Sequence, residues 1–186
     1  MFSGKSEELI RRLRRAQIAR QRVAVFKPRM DDRFSNSEIV THSDDRMTSQ
    51  ATESAAEIEA RLDGRAEVIG IDEANFFGPA LVEVADSLAN RGRRVILAGL
   101  DTDYRGVPFP PLPDLLAIAE SITKLLAVCM RCGAPAKHTQ RLVNSEELIL
   151  VGAVDSYEAR CRDCFEPGIP RQDVLDFSAA HRTISS

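Results

Sequence analysis

Residues 68–73 read Val-Ile-Gly-Ile-Asp-Glu, an apolar run that ends in two adjacent carboxylates. Branched apolar residues in a short run are typical of a buried β-strand. In open α/β sheets, ligands bind at the carboxyl ends of the strands, which is where Asp72 and Glu73 would lie. One carboxylate can hold Mg²⁺ through water while the other accepts a proton from a nucleophile. The alternative is that Asp72 only caps the next helix.

Helix and strand patterns alternate on both sides of this run. Apolar residues at helical spacing predict helices at residues 7–21, 55–62, 79–90 and 114–120, the last one capped by Asp114. Short apolar runs predict strands at residues 22–27, 66–72 and 94–99. We expect the polar residues 29–54 to form a loop and the proline-rich residues 100–113 to be irregular. This alternation predicts an α/β fold with a parallel sheet and right-handed crossovers.

The chain opens with half of a phosphate-binding motif. Gly4-Lys5-Ser6 leads directly into the first predicted helix and matches the end of G-x-x-x-x-G-K-[ST]. In such a loop, backbone N–H groups face the phosphates, the lysine reaches the β and γ oxygens, and the hydroxyl ligates Mg²⁺. The motif's first glycine and its preceding strand would come before Met1. Alone, the tripeptide fits an incidental helix start; together with Asp72 and Glu73 it favours a P-loop NTPase-like sheet.

The four cysteines form two Cys-x-x-Cys pairs, with 28 residues between them: Cys129, Cys132, Cys161 and Cys164. Four thiolates at this spacing can close a tetrahedral Zn²⁺ site without an open position, so we expect a structural metal in a small lobe of hairpins. The rival interpretation is one redox-active pair, which leaves the second pair unexplained. Because the cysteines complete the metal shell, we expect His138 at the surface.

Composition excludes several classes of protein. The 186 residues are 44% hydrophobic, and 25 basic against 28 acidic side chains give a net charge of −3, as in ordinary globular proteins with a sizeable core. The longest apolar stretch, residues 115–130, contains charged residues and is too short to span a membrane. With no readable secretory signal, we expect a cytoplasmic protein. The arginines within residues 11–15 fit either a nucleic-acid patch or a solvated helix face; the acidic chain favours the second, without a nucleic-acid partner.

Six segments, in order along the chain, resemble the type II thymidine kinases: residues 2–10, 25–28, 71–77, 98–101, 104–109 and 156–161. The resemblance covers about residues 1–165. It implies transfer of the ATP γ-phosphoryl group to the 5′-hydroxyl of thymidine or deoxyuridine, with Mg²⁺ and a structural Zn²⁺. It also implies a cytoplasmic homotetramer in nucleotide salvage that is inhibited by dTTP.

The resemblance further implies a role for each matching residue. Ser3, Gly4, Lys5 and Ser6 would hold phosphates, Ser6 and Asp72 would hold Mg²⁺, and Glu73 would be the catalytic base. Asn75 stands where the family usually has glutamine and is expected on the cofactor side. The apolar walls around the base would be Phe76, Leu100, Tyr104 and Phe109. Tyr157 and backbone groups from Thr139 to Gly152 would belong to a loop that the zinc lobe holds over the nucleoside.

The expected organisation is a P-loop kinase domain over residues 1–128, a zinc lobe over 129–165 and a tail over 166–186. The kinase domain lacks its first strand, which we expect between the strands that contain Val25 and Ile71. An alternative from another class is a non-catalytic nucleotide-binding or zinc-ribbon interaction protein that has lost part of its phosphate loop.

Overall fold

The computed structural model describes residues 1–29, 38–40, 46–143 and 156–167, with only the backbone for residues 38–40 and 46. The helices are α1 (Lys5–Ile18), α2 (Ala55–Arg61), α3 (Ala80–Asn90) and α4 (Leu112–Ile118), with a 3-10 helix at Ala74–Phe76. The longer strands are β1 (Val23–Pro28), β5 (Val68–Ile71), β6 (Arg94–Leu97), β9 (His138–Arg141) and β10 (Tyr157–Arg160). The short strands are β2 (Glu38–Val40), β3 (Arg46–Thr48), β4 (Gln50–Thr52), β7 (Ala127–Val128) and β8 (Pro135–Ala136).

The central sheet has the strand order β4-β1-β5-β6, and every neighbouring pair in it is parallel. All four residues of β5 are buried. A strand that is covered on both faces has a continuous run of apolar residues, which is the pattern that predicts β5 from the sequence. The parallel α/β fold is therefore confirmed, and Asp72 and Glu73 follow β5 at the carboxyl edge of the sheet.

Helix α1 covers one face of the sheet. Its buried residues Leu9, Ile10 and Leu13 pack in one cluster with Val68. Gly70 lies on the same face as Val68, and a Cβ atom there would approach Leu13 Cδ1 to 2.6 Å. The absence of a side chain at position 70 thus lets α1 pack closely against β5.

The opposite face is covered by α2, α3 and α4. Ile69 and Ile71 point to this side, where they share a cluster with Leu81, Leu88 and Leu115. Because side chains alternate along a strand, β5 contributes to both halves of the core. The predicted helices are confirmed, but α4 begins at Leu112 rather than at an Asp114 cap. Pro111 precedes it, and a proline at a helix start loses no hydrogen bond.

The expected loop at residues 29–54 is wrong in part. Strands β2 and β3 form an antiparallel pair, and β4 joins the central sheet parallel to β1. Ala51 and Thr52 of β4 are buried. A three-residue strand is too short to show periodicity, and its pairing depends on a neighbour that is distant in sequence.

The position expected for a strand ahead of Met1 is also wrong. β1 and β5 are direct neighbours, with Val25 opposite Gly70, and leave no space between them. Among the described strands, β6 pairs only with β5. Its other edge borders a cavity of about 590 Å³ whose lining includes Met1, Leu97, Leu115 and Ile122. An additional strand would therefore fit beside β6.

The cysteine lobe consists of two antiparallel pairs, β7 with β8 and β9 with β10. This arrangement confirms the predicted hairpin pattern. His138, however, is buried and stacks on Phe165 with ring centroids 4.2 Å apart, so the expectation of a surface histidine is wrong. No helix in the described part of the chain combines the length and the apolarity of a membrane span.

Candidate active site and metal centre

The phosphate-loop residues lie at the N-terminus of α1. Gly4 is the N-cap and has a left-handed backbone with φ of 74°, a conformation that glycine adopts without strain. Its carbonyl accepts from the N–H of Glu8 at 2.9 Å, which starts the helix immediately. Lys5 and Ser6 are therefore held in the first turn, where free backbone N–H groups and the positive end of the helix dipole attract an anion.

A hydrogen bond joins this turn to the acidic pair. Ser6 Oγ donates to Asp72 Oδ2 at 2.9 Å, although 66 residues separate the two in sequence. The other oxygen, Asp72 Oδ1, accepts from the N–H of Glu73 at 3.0 Å. The following 3-10 helix has no side-chain cap, so the alternative that Asp72 only caps a helix is wrong. A hydroxyl and a carboxylate oxygen together are the hard ligands that Mg²⁺ prefers.

The acidic pair is electrostatically unfavourable without a cation. Burial raises the pKa of Asp72, against the opposing effects of its hydrogen bonds from Ser6 and Glu73. Burial raises the pKa of Glu73 as well, and the neighbouring Asp72 adds to that rise while Lys5 opposes it. A buried carboxylate beside a second, partly buried one favours a shared proton or a bound cation.

The apolar side chains expected around the nucleoside come from two parts of the chain. One follows the acidic pair closely in sequence, and the others lie in the loop after β6. Phe76 and Phe109 make an edge-to-face contact with centroids 5.9 Å apart. Asn75 Oδ1 accepts from the N–H of Leu100 at 3.0 Å, which fixes the start of that loop. Asn75 Nδ2 is buried and has no hydrogen-bond partner in the described residues.

The lobe side of the site is formed by β9 and β10. Thr139 is buried, and its Oγ1 accepts from the amino group of Met1 at 2.8 Å, which joins the lobe to the phosphate-loop end of the chain. Tyr157 lies opposite Arg141 in the strand pair and its hydroxyl accepts from Arg141 Nη2 at 2.6 Å. Ser3 lies one residue before Gly4 and is partly buried. Gly152 lies outside the described residues.

Sequence reasoning missed two residues that shape the site. Asp103 is buried and accepts from the N–H groups of Arg105 and Val107, at 2.9 and 3.0 Å, so it builds the turn in the loop after β6. Its signal is Asp-x-x-Gly, since aspartate and glycine favour the first and last positions of a type I turn. Arg141 is completely buried. Nothing in the polar sequence around it indicates this burial.

The metal centre is formed by the two Cys-x-x-Cys pairs. All four cysteines are free thiols, and their sulfur atoms lie within 4.8 Å of one another. Cys132 Sγ and Cys161 Sγ are 3.6 Å apart, near the roughly 3.8 Å sulfur separation that follows from tetrahedral Zn–S bonds. Burial acts to raise the pKa of Cys129, but backbone N–H groups outweigh it and lower that pKa to about 6, which favours the thiolate. The donor set fits a closed structural zinc site.

Comparison with known proteins agrees with this geometry. The thymidine kinase family model matches residues 1–165. A thymidine kinase of Rhodothermus sp. (strain ITI 518) is 56% identical over 170 residues, which are 91% of this chain and 79% of that protein. Both matches favour a kinase over a non-catalytic interaction module. Since the family match includes the phosphate loop, the acidic pair and all four cysteines, the chain belongs to the thymidine kinase family.

Proposed function

We propose that this protein transfers the γ-phosphoryl group of ATP to the 5′-hydroxyl of thymidine or deoxyuridine, in pyrimidine deoxynucleotide salvage. The observation that carries the proposal is the hydrogen bond from Ser6 to Asp72. It places the phosphate-binding turn of α1 against the acidic end of β5, as phosphoryl transfer with a divalent cation requires.

On the nucleotide side, Ser3, Gly4, Lys5 and Ser6 hold the phosphates of ATP. The backbone N–H groups of the first turn of α1 face the phosphate oxygens, and Lys5 neutralises their charge. Ser6 and Asp72 supply the oxygen ligands for Mg²⁺, which would offset the charge that develops on the transferred group. Asn75, whose Nδ2 has no hydrogen-bond partner in the described residues, lies on this side of the site.

Glu73 is the base that accepts the proton of the 5′-hydroxyl. Its raised pKa, caused by burial and by Asp72, makes it a stronger proton acceptor than an exposed carboxylate. Glu73 also has a left-handed backbone, with φ of 49°, which is uncommon for a residue with a side chain. Strain of this kind is found where a side chain must be aimed at a site.

The nucleoside lies between the apolar walls and the lobe. Phe76, Leu100, Tyr104 and Phe109 surround the base, and Tyr157 and backbone groups from Thr139 to Gly152 cover it. Main-chain donors and acceptors in this loop pair with the pyrimidine edge, and a purine would leave some of them buried and unpaired. The four cysteines would hold Zn²⁺ away from the substrates, where the bound ion would act indirectly by fixing the strands that flank this loop.

The test is turnover with the purified protein, Mg²⁺, ATP and one nucleoside at a time, with detection of the 5′-monophosphate. We expect thymidine and deoxyuridine to be phosphorylated and deoxyadenosine to be a much poorer substrate. Nucleotide binding without any turnover would favour the non-catalytic alternative. Equal kcat/KM values for deoxyadenosine and thymidine would instead contradict only the role of the lobe in reading the base.

Three further features are proposed with this function: a homotetramer, inhibition by dTTP and a cytoplasmic location. Light scattering on the eluting protein measures the assembly. Loss of turnover as dTTP is added at fixed thymidine measures the inhibition. Fractionation of cells that express the natural gene measures the location.

A further inference from the structure

Arg141 is the largest fully buried side chain in the described residues, with an exposed fraction of 0%. A guanidinium group remains charged in proteins and is rarely removed from water without compensating contacts. Its contacts should therefore indicate what the residue does.

Two aromatic side chains from separate parts of the chain meet this cation. The guanidinium carbon lies 3.5 Å from the centroid of the Tyr104 ring. Nη2 donates to the Tyr157 hydroxyl at 2.6 Å, and the guanidinium carbon is 5.2 Å from the centroid of that ring. Tyr104 belongs to the loop after β6, whereas Tyr157 begins β10 of the lobe. Arg141 thus joins the loop to the lobe.

A second contact ties the same loop to the lobe. A Cβ atom at Gly106 would lie 3.2 Å from the ring of Phe165, so the two pack closely, and Phe165 in turn stacks on His138. The Asp103 turn holds this part of the loop in one conformation. In the described residues the loop thus meets the lobe at these two points, of which only the Arg141 contact involves residues of the proposed nucleoside site.

We propose that Arg141 is a positioning residue for the nucleoside: its buried cation fixes Tyr104 and Tyr157 relative to each other and so sets the width of the base-binding space. This inference rests on the proposed function only in assigning those tyrosines to the nucleoside site. Arg141 itself has no place in phosphoryl transfer. Its loss should weaken nucleoside binding and leave the ATP side unchanged.

The chain offers a direct probe of this contact, because it contains two tyrosines and no tryptophan. The tyrosines are Tyr104 and Tyr157, so a protein labelled with 3-fluorotyrosine gives fluorine signals from these two positions alone. We expect Arg141→Met to shift both signals. We expect it to raise the thymidine KM about tenfold, since a buried cation on an aromatic face and a charged hydrogen bond are both lost. The ATP KM and the zinc content should stay within about twofold of wild type.

Arg131→Met is the matched control. Arg131 belongs to the same lobe as Arg141, but its side chain is 58% exposed and it pairs with Glu166, which is also exposed. We expect both fluorine signals and the thymidine KM to stay at their wild-type values. Arg141→Lys keeps the charge without the planar donor geometry and should give an intermediate thymidine KM.

The proposal is overturned if Arg141→Met leaves both fluorine signals in place, or if it raises the thymidine and ATP KM values together. Should that variant fail to fold, Tyr157→Phe removes only the hydrogen-bond acceptor, and an unchanged thymidine KM there also overturns the proposal. If the wild-type protein does not phosphorylate thymidine, the proposed function fails. The fluorine signals still decide whether Arg141 positions the tyrosines.

Discussion

Asp72 and Glu73 are consecutive in the sequence, and both carry carboxyl groups in a mostly buried part of the molecule. The pKa of each is raised, chiefly by burial. An acid whose pKa is higher in the folded state binds more protons when folded than when unfolded. Its ionised form therefore destabilises the fold at neutral pH, and this cost falls as the pH is lowered through the folded-state pKa. The negative charge of these two carboxyl groups therefore lowers the stability of the folded protein.

We predict that Asp72→Asn stabilises the protein in buffer without Mg²⁺ at pH 7.5. The amide removes the repulsion with Glu73 and retains polar atoms for the contacts with Ser6 and the Glu73 N–H. A gain of about 1 kcal/mol would raise the melting temperature by about 2–4 °C in a domain of this size. The advantage should shrink toward pH 5, as the wild-type carboxyl groups take up protons. A lower melting temperature for the variant at pH 7.5 would contradict this account.

Glu73→Gln should lower kcat by at least about 10²-fold, the usual scale for removing a general base. ATP binding should persist, because the amide has nearly the same shape and Lys5 remains. Steady-state kinetics and an ATP titration measure the two quantities. Turnover within a few-fold of wild type would exclude Glu73 as the base.

Glu83→Gln, on the exposed face of α3, is the control and should leave kcat unchanged. The pH profile gives an independent check. In the wild type, kcat/KM should fall as the pH drops through the raised pKa of Glu73, so the acid limb should lie above the ordinary carboxyl value of 4.5. In Glu73→Gln that limb should disappear from the residual activity.

At the scale of elements, we expect the lobe to depend on a metal bound by its four cysteines. Its strands β7 and β8 have two residues each and β9 and β10 have four each, and two-stranded pairs are at best marginally stable alone. We predict about one Zn²⁺ per chain, and we predict that Cys164→Ser lowers the zinc content and raises the thymidine KM more than the ATP KM. Metal analysis on protein purified without chelator, followed by kinetics, tests both points.

Met130→Leu is the control for that substitution, because Met130 lies between two of the cysteines but is 69% exposed. Its zinc content and thymidine KM should match those of the wild type. Wild-type protein without zinc, or with a disulfide within either pair, would rule out the metal centre.

Elements with long or strongly apolar patterns could be predicted from the sequence. Helix α1 and strand β5 are examples. The buried face of α1 follows from the helical spacing of its apolar residues, and the buried strand β5 follows from its apolar run. Strand β4 and the burial of His138 could not be predicted from the sequence, because both depend on contacts with residues that are distant along the chain.

The candidate site shows the same division. The start of α1 and the end of β5 carry residues of known motifs, so the sequence alone indicates Ser6 and Asp72 as site residues. The structure adds the hydrogen bond between them. Arg141 could not, because its role arises from two tyrosines that approach it from different elements.

At the scale of the whole molecule, the outer edge of β6, which pairs with no other strand in the described part of the chain, is the feature with the largest expected effect. An unpaired strand edge exposes N–H and C=O groups that can pair with other chains. The adjoining cavity of about 590 Å³ is partly lined by apolar side chains, and exposed Ile122 and Leu126 lie in the segment after α4. Met1 lines the same cavity, so a strand placed ahead of it could lie along β6 and lead into the phosphate loop.

We predict that about a dozen residues added before Met1, an apolar strand and a glycine-containing turn, raise the melting temperature, reduce aggregation and tighten Mg·ATP binding. The strand would cover the β6 edge and anchor the phosphate loop from its second side. Thermal melts and Mg·ATP titrations of the two proteins are compared. An extension of equal length with polar residues at the strand positions is the control and should change neither quantity. Equal stability and equal ATP affinity with the apolar extension would show that the β6 edge does not limit this protein.

Gly70 determines how closely α1 packs on β5, and its position in the sequence does not reveal this effect. A methyl group there would come within 2.6 Å of Leu13 Cδ1, so the buried Leu13 side chain of α1 would have to shift. The same helix carries Ser6, whose hydroxyl must stay 2.9 Å from Asp72. The packing of α1 on β5 therefore also sets the distance between the two proposed magnesium ligands. We expect a larger residue at position 70 to weaken Mg²⁺ binding, although the change would lie in the core beneath the proposed site.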